Sequence, residues 1–231
     1  MGDKGLLSTF IYSMRIRELT LFTSVPEQQF RFYADVLGFP VSRTEEGLEI
    51  IAGDTILRFC YRKNASPTHF AFNIPPYAEH KALEWLRDRV ELIPFEDEPI
   101  IDFSNWNARA LYFYDGQKNI VEFISRRDLS HPGVNDAFSA KDILNVSEIG
   151  VAVSDIKDFY DNLQKLKPVG MYDGNFDSFC AVGDPNGLFI IVDREKKTWF
   201  PADDPVEQSD FIISGDYNFA FKDGKIESVT C

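Results

Sequence analysis

Three cysteines in 231 residues, Cys60, Cys180 and Cys231, are too few and too widely spaced for a disulfide framework, and none forms a CxxC pair. Cys60 and Cys180 fall in apolar strand patterns, where a thiol behaves as a small buried hydrophobe. Histidine is scarce too, so any imidazole-dependent site must draw on His69, His80 or His131. Basic charge is in short supply: 24 Lys and Arg face 37 Asp and Glu, for a formal net charge of −13. A surface of that sign repels phosphate backbones and anionic lipid, which argues against nucleic acid and membrane surfaces as partners. No apolar run is long enough to cross a bilayer. Residues 1–13, MGDKGLLSTFIYS, have an acid near the start and no small-residue cleavage signal, so they read as a lead-in and not a signal peptide. Sparse cysteine and acidic charge together fit a cytoplasmic protein, monomeric or homodimeric, whose partner is a small molecule.

Aromatic residues are plentiful, with 21 Phe and 9 Tyr. On half-buried strands they fill broad sheet cores and line apolar pockets. Residues 16–23 (IRELTLFT) alternate as a strand, Pro26 opens a helix through Phe30, Tyr33 and Leu37, and Gly38 caps it. Three short strands follow over 39–44, 47–52 and 55–61. The same order recurs: a strand at 68–74, a helix at 77–90, then strands near 92–95, 108–114 and 119–125. A third copy starts at Ser147, with strand SEIGVAVS, helix DIKDFYDNLQKL and strands near 177–182 and 187–193. The tail reads as a degenerate fourth unit without a helix. Glu18 and Glu148 occupy equivalent places, and DTILRF superposes on KNIVEF. Each unit exposes a sheet face that a neighbour must cover. The fold class is therefore α+β, with repeated βαβββ units forming cupped mixed sheets. Residues 14–126 are expected to pair two units around one cupped sheet, 127–146 to act as a linker, and 147–231 to hold the third unit and the degenerate fourth.

Period-two geometry sorts side chains by face. Glu18, Thr20 and Phe22 share one side of the first strand; Ile56, Arg58 and Cys60 share one side of another. His69, Ala71 and Asn73 align, as do Ile120, Glu122 and Ile124. Ionisable groups at matching places in duplicated units converge if the units pair face to face. Carboxylate and imidazole donors then suit a borderline divalent ion, although a salt-bridge network or an empty pocket is the alternative. His80 is placed on an exposed helix face and His131 in the linker. The stretch Gly183–Gly187 joins two strands and opens no helix, so it is a turn and not a phosphate loop.

The segments IRELTLFT, FRFYADVLGF, THFAFNI and YFYDGQKNIVEF resemble the vicinal oxygen chelate superfamily, which includes glyoxalase I, extradiol dioxygenases and metal-free bleomycin-resistance proteins. The resemblance covers residues 14–126 well and extends to about 193. It implies one divalent ion (Mn, Fe, Ni or Zn) held by Glu18, His69 and Glu122, with substrate oxygens chelating the metal. The fourth ligand place falls on Arg58, whose guanidinium is no ligand and opposes a cation; it pairs with Glu18 or binds an anionic substrate group. Tyr112, ten residues before Glu122, matches a hydrogen-bonding tyrosine of the ring-cleaving branch, so Glu122 and Tyr112 are the catalytic candidates. The histidine which that branch places before the tyrosine is missing from DFSNWNARALY. Arg58, Trp106, Phe22 and Asn73 are the candidate substrate contacts. In the third unit the terminal-glutamate place is assigned to Ile191, which marks that half as structural. The expected function is a metal-dependent lyase, isomerase or oxygenase acting on a small oxygen-rich molecule. The alternatives are a metal-free small-molecule binder of the bleomycin-resistance type and a non-catalytic protein with a vestigial site.

Overall fold

The computed structural model describes residues 14–134 and 136–229; the lead-in assigned to residues 1–13 lies outside them. The first unit runs β1 (Ile16–Thr23), α1 (Pro26–Arg31, extended by a π-helical turn over Phe32–Val36), β2 (Val41–Arg43), β3 (Gly47–Ala52) and β4 (Thr55–Tyr61). The second has β5 (His69–Ile74), α2 (Glu79–Arg87), β6 (Ile101–Phe103), β7 (Ala108–Tyr114) and β8 (Ile120–Arg126). The third has β9 (Asn145–Val153), α3 (Ile156–Leu166), β10 (Met171–Gly174), β11 (Phe179–Asp184) and β12 (Gly187–Asp193). A small hairpin, β13 (Thr198–Trp199) and β14 (Asp204–Pro205), leads to the helix-free fourth unit, β15 (Phe211–Gly215), β16 (Phe219–Lys222) and β17 (Lys225–Glu227). The α+β class and the repeated βαβββ order are as the sequence predicts. The strand expected near 92–95 is reduced to isolated bridges, Leu92 with Phe113 and Phe95 with Glu98.

The pairing of the units differs from the expectation. The first unit shares a seven-stranded sheet with the fourth, in the order β17-β16-β15-β1-β4-β3-β2. The second shares an eight-stranded sheet with the third, in the order β10-β11-β12-β9-β5-β8-β7-β6. Residues 14–126 therefore do not build one cup. Repetition identifies which segments are equivalent; the β5–β9 contact, with Phe70 against Ile149, decides which are neighbours. The segment expected to be a linker is packed as well, since Phe138, Ala140 and Ile143 are buried in the core.

The two sheets and their helices share one core. Phe59 and Tyr33 from the first unit stack at 5.5 Å, and Phe70 and Phe72 from β5 continue the aromatic array. α1 lies on β3 and β4, α2 on β7 and β8, and α3 on β12 and β17. Asp115 ties the first unit to the β7–β8 turn. Its carboxylate accepts from Gln29 Nε2 (2.8 Å), the Tyr33 hydroxyl (3.0 Å), Asn119 Nδ2 (2.9 Å) and the backbone N–H groups of Gln117 and Asn119. The β3–β4 turn docks on the connection into β9: Asp54 N–H donates to the Leu144 carbonyl at 2.8 Å, and Leu144 N–H donates to that of Asn73 at 2.9 Å. This core covers one face of the eight-stranded sheet. The opposite face curls into a cup with its own apolar lining, including Ala71, Ile124, Leu188 and Ile190.

Candidate metal centre

Strand register lays out the floor of that cup. Glu122 on β8 and Glu148 on β9 flank Ala71 of β5, one from each side. Ala71 contributes only a methyl group, so the carboxylates converge above it. His69 projects from the same face two residues earlier. Tyr112 of β7 stands opposite Glu122 and lengthens the row. One ligand atom from each of His69, Glu122 and Glu148 lies within 4.8 Å of the others, and all three residues are buried. His69 Nε2 is 3.5 Å from Glu122 Oε2 and 3.7 Å from Glu148 Oε2.

The other imidazole nitrogen, Nδ1, lies 3.1 Å from the Ile120 carbonyl oxygen. A carbonyl can only accept, so Nδ1 donates and Nε2 is the nitrogen turned towards the carboxylates. Glu148 is oriented by Arg126, whose Nη2 donates to Oε1; Oε2 is left facing His69. Arg126 is itself held by Asn73, whose Oδ1 accepts from Nε at 3.2 Å. Asn73 in turn donates to Asn145 Oδ1 (3.2 Å) and the Pro185 carbonyl (2.8 Å). Burial pushes the Glu122 carboxyl well above the usual carboxylate range, and the charge of Glu148 adds to the shift while Arg126 opposes it. Burial and the same two carboxylates push the Tyr112 phenol up as well, so Tyr112 remains a proton donor across ordinary pH.

A cavity of about 520 Å³ opens above this floor, with Phe103, Trp106, Tyr112, Phe179, Trp199 and Phe200 among its walls. The edges of the sheet meet across it. Trp106, beside β6, donates Nε1–H to Asp173 Oδ2 of β10 at 2.5 Å and packs edge-on to Tyr172 at 5.2 Å. The donor set fits a borderline divalent ion: one imidazole nitrogen and two carboxylates on a closed, buried floor. With both acids ionised, their two negative charges meet a single guanidinium, and a cation would balance the excess.

Of the residues singled out from sequence, the cup brings together His69, Glu122, Tyr112 and Trp106. Asn73 lies beneath, buried, and reaches the floor through Arg126. Three fall elsewhere. Glu18 and Arg58 belong to the seven-stranded sheet, where Arg58 donates to Glu18 and, through Nε, to Glu49 at 2.9 Å. Phe22 is in the same sheet, under the guanidinium of Arg62 at 3.4 Å. The metal candidate Glu18 is thus replaced in the cluster by its repeat equivalent, Glu148, because β9 and not β1 lies beside β5. The terminal-glutamate place of the third unit is also corrected by one residue. Ala71, two after His69, pairs with Glu122; Gly150, two after Glu148, pairs with Ile190. Ile190 lines the cavity, whereas Ile191 points into the main core. Cys180 is buried as expected, but Cys60 is only partly so. Arg126, Trp199 and Phe200 were not anticipated: the arginine lies one residue past the expected strand, and the other two fall in a stretch without periodicity.

No protein-family model matches the sequence, and no curated protein matches it. Solved structures do match. A Bacillus subtilis protein provisionally named a dioxygenase aligns at 14% identity with a TM-score of 0.59, covering 93% of this chain and 68% of its own. Glyoxalase I from Zea mays aligns at 11% identity with a TM-score of 0.52, covering 77% of this chain and 66% of the maize protein. This chain has the vicinal oxygen chelate fold. Within that fold the cup formed by the second and third units is the one that gathers His69, Glu122 and Glu148. No helix among the described residues is long and apolar enough to cross a membrane.

Proposed function

We propose that the protein is a divalent-metal-dependent enzyme acting on a small oxygen-rich molecule that chelates the ion through neighbouring oxygens. The observation carrying this reading is the convergence of His69 Nε2 with one oxygen each of Glu122 and Glu148 on the floor of a cavity of about 520 Å³. Mn, Fe, Ni or Zn suits the donor set, and the bound ion would supply Lewis-acid or oxygen-activating chemistry. His69, Glu122 and Glu148 would hold it. Ile190 offers no donor at the terminal-glutamate place of the third unit, which leaves room for substrate oxygens. Tyr112 donates a hydrogen bond to a developing oxyanion, in keeping with its raised phenol pKa. Glu122, whose carboxyl favours its proton when no cation is near, is suited to moving a proton at the substrate.

The deciding experiment is elemental analysis of protein purified without added metal or an affinity tag, followed by calorimetric titration with Mn, Co, Ni and Zn. Near-stoichiometric binding in the parent, lost in E122Q and E148Q but kept in E18Q, is the expected result. Failure of the parent to bind any of these ions at millimolar concentration would remove the reading. One observation favours a second one, a metal-free small-molecule binder: Arg126 already offsets Glu148, and a protonated Glu122 would leave the cup locally neutral. Under that reading E122Q binds ligand as the parent does, and added metal changes nothing.

A further inference from the structure

Gly150 occupies the middle of β9, a nine-residue strand buried along nearly its whole length. A glycine there weakens the strand and signals close approach by another group. That group is Trp199. A Cβ built on Gly150 would lie 2.6 Å from Trp199 Cη2, 3.1 Å from Cζ2 and 3.0 Å from the His69 carbonyl oxygen. The indole sits in the notch, with its ring centroid 5.6 Å from that of His69. The Tyr112 ring flanks the same imidazole at 6.2 Å. Trp199 comes from the β13–β14 hairpin, which is anchored from outside the cup. The Tyr114 hydroxyl donates to Asp204 Oδ2 at 2.8 Å and Phe200 packs on Phe95 at 4.9 Å, while within the hairpin Asp203 N–H donates to the Trp199 carbonyl at 2.8 Å. Gly150 and Glu148 share a face of β9, so the notch lies beside the cluster itself.

We propose that Trp199, seated on Gly150, is a positioning residue for His69. A single Nδ1–H···O=C bond fixes one atom of the imidazole and leaves the ring free to rock about it. The indole removes that freedom and keeps water from Nδ1, so that Nε2 stays aimed between Glu122 and Glu148. An alanine at Gly150 would drive the indole towards the imidazole or out of the notch. The benefit of aiming Nε2 rests on the metal-centre reading above; the restraint on the ring does not.

The test separates the two. In ¹⁵N-labelled, metal-free protein, the His69 Nδ1–H is expected as one slowly exchanging signal with cross-relaxation to Trp199 ring protons. Absence of that cross-relaxation in the unmodified protein would overturn the proposal without any variant. W199A and G150A are expected to exchange Nδ1–H at least 10-fold faster with the amide spectrum otherwise folded, whereas W199F, which keeps an aromatic plate, stays within about 3-fold of the parent. Folded W199A and G150A with parental exchange would likewise overturn it. Co(II) titration of the same proteins addresses the metal reading: affinity should fall at least 10-fold in W199A and G150A and recover in W199F. If the parent binds no Co(II), the metal reading fails, while the Nδ1–H comparison still decides the role of Trp199.

Discussion

Replacing Arg126 with Met probes the floor of the cup most directly. The guanidinium and the Glu148 carboxylate are both almost fully enclosed, with side chains 1% and 2% exposed. Removing one partner of a buried pair leaves the other as an uncompensated charge and costs about 3–5 kcal/mol. Asn73 Oδ1 also loses the Nε donor it now accepts from, at about 1 kcal/mol. The sum is about 4–6 kcal/mol for the metal-free protein, and at about 2–4 °C per kcal/mol for a chain of this size the melting temperature falls by about 8–24 °C. The double variant R126M/E148L replaces the pair with apolar groups of similar size, and its stability is expected to return to within about 1–2 kcal/mol of the parent. The assay is urea unfolding followed by circular dichroism at pH 7 with chelator present. A loss below about 1 kcal/mol in R126M, or a double variant as unstable as the single, would refute the account of Arg126 and Glu148 as a mutually compensated buried pair.

In metal-free protein, the raised Glu122 pKa means that its contribution to stability is full below its unfolded value, about 4.3, and is lost as pH rises towards its folded value; E122Q should flatten that slope in denaturant titrations at pH 4–8. Metal binding at pH 6 should therefore release protons, seen as a calorimetric heat that depends on buffer ionisation, and E122Q should reduce the release. D115A removes the acceptor of five hydrogen bonds, two from Gln29 and Tyr33 of the first unit and three within the β7–β8 turn; a loss of about 3–5 kcal/mol by chemical denaturation is expected, with unchanged metal stoichiometry in protein that remains folded. Gly53 has φ +59°, and a Cβ there would stand 2.0 Å from the Leu144 carbonyl oxygen. G53A should thus cost about 2–4 kcal/mol and disturb the start of β9, which amide exchange across 143–148 would detect.

Strand period and the repeated βαβββ order are written along the chain, and for that reason the fold class and the shared face of His69 and Ala71 were legible. The pairing of Glu122 with that face was legible too, because β5 and β8 lie within one unit. Glu148 was visible as the equivalent of Glu18, but a repeat does not say which copies touch. The β5–β9 contact is a tertiary choice made by packing. Assigning Ile191 in place of Ile190 was a one-residue slip, and in a strand that exchanges a core-facing side chain for a cup-facing one. Trp199 left no periodic trace, since β13 has only two residues; Gly150 was its one signal, a glycine inside a buried strand. Trp106 sits at the cavity because the curled sheet brings its two edges together, a curvature that no local pattern encodes.

The two sheets carry opposite solutions to the same register. In the first unit, Thr20 lies two residues after Glu18 and pairs with Arg58; in the second, Ala71 lies two after His69 and pairs with Glu122. Equivalent places thus hold Glu18 and Arg58 in the seven-stranded sheet, and His69 and Glu122 in the eight-stranded one. Where the first combination occurs, the guanidinium supplies the positive charge itself and is shared between Glu18 and Glu49. That face is closed to a metal by its own salt bridges. Where the second occurs, the third unit adds a carboxylate and a buried guanidinium, Arg126, is turned to one oxygen of it. The remaining donors face one another without a cation of the protein's own between them. The asymmetry also accounts for Ala71. A larger side chain would fill the space between Glu122 and Glu148, and Thr20, its counterpart in the first unit, stands where no ion has to fit. The duplicated scaffold thus gathers the candidate donors on the eight-stranded sheet and pairs the equivalent places of the seven-stranded sheet in salt bridges.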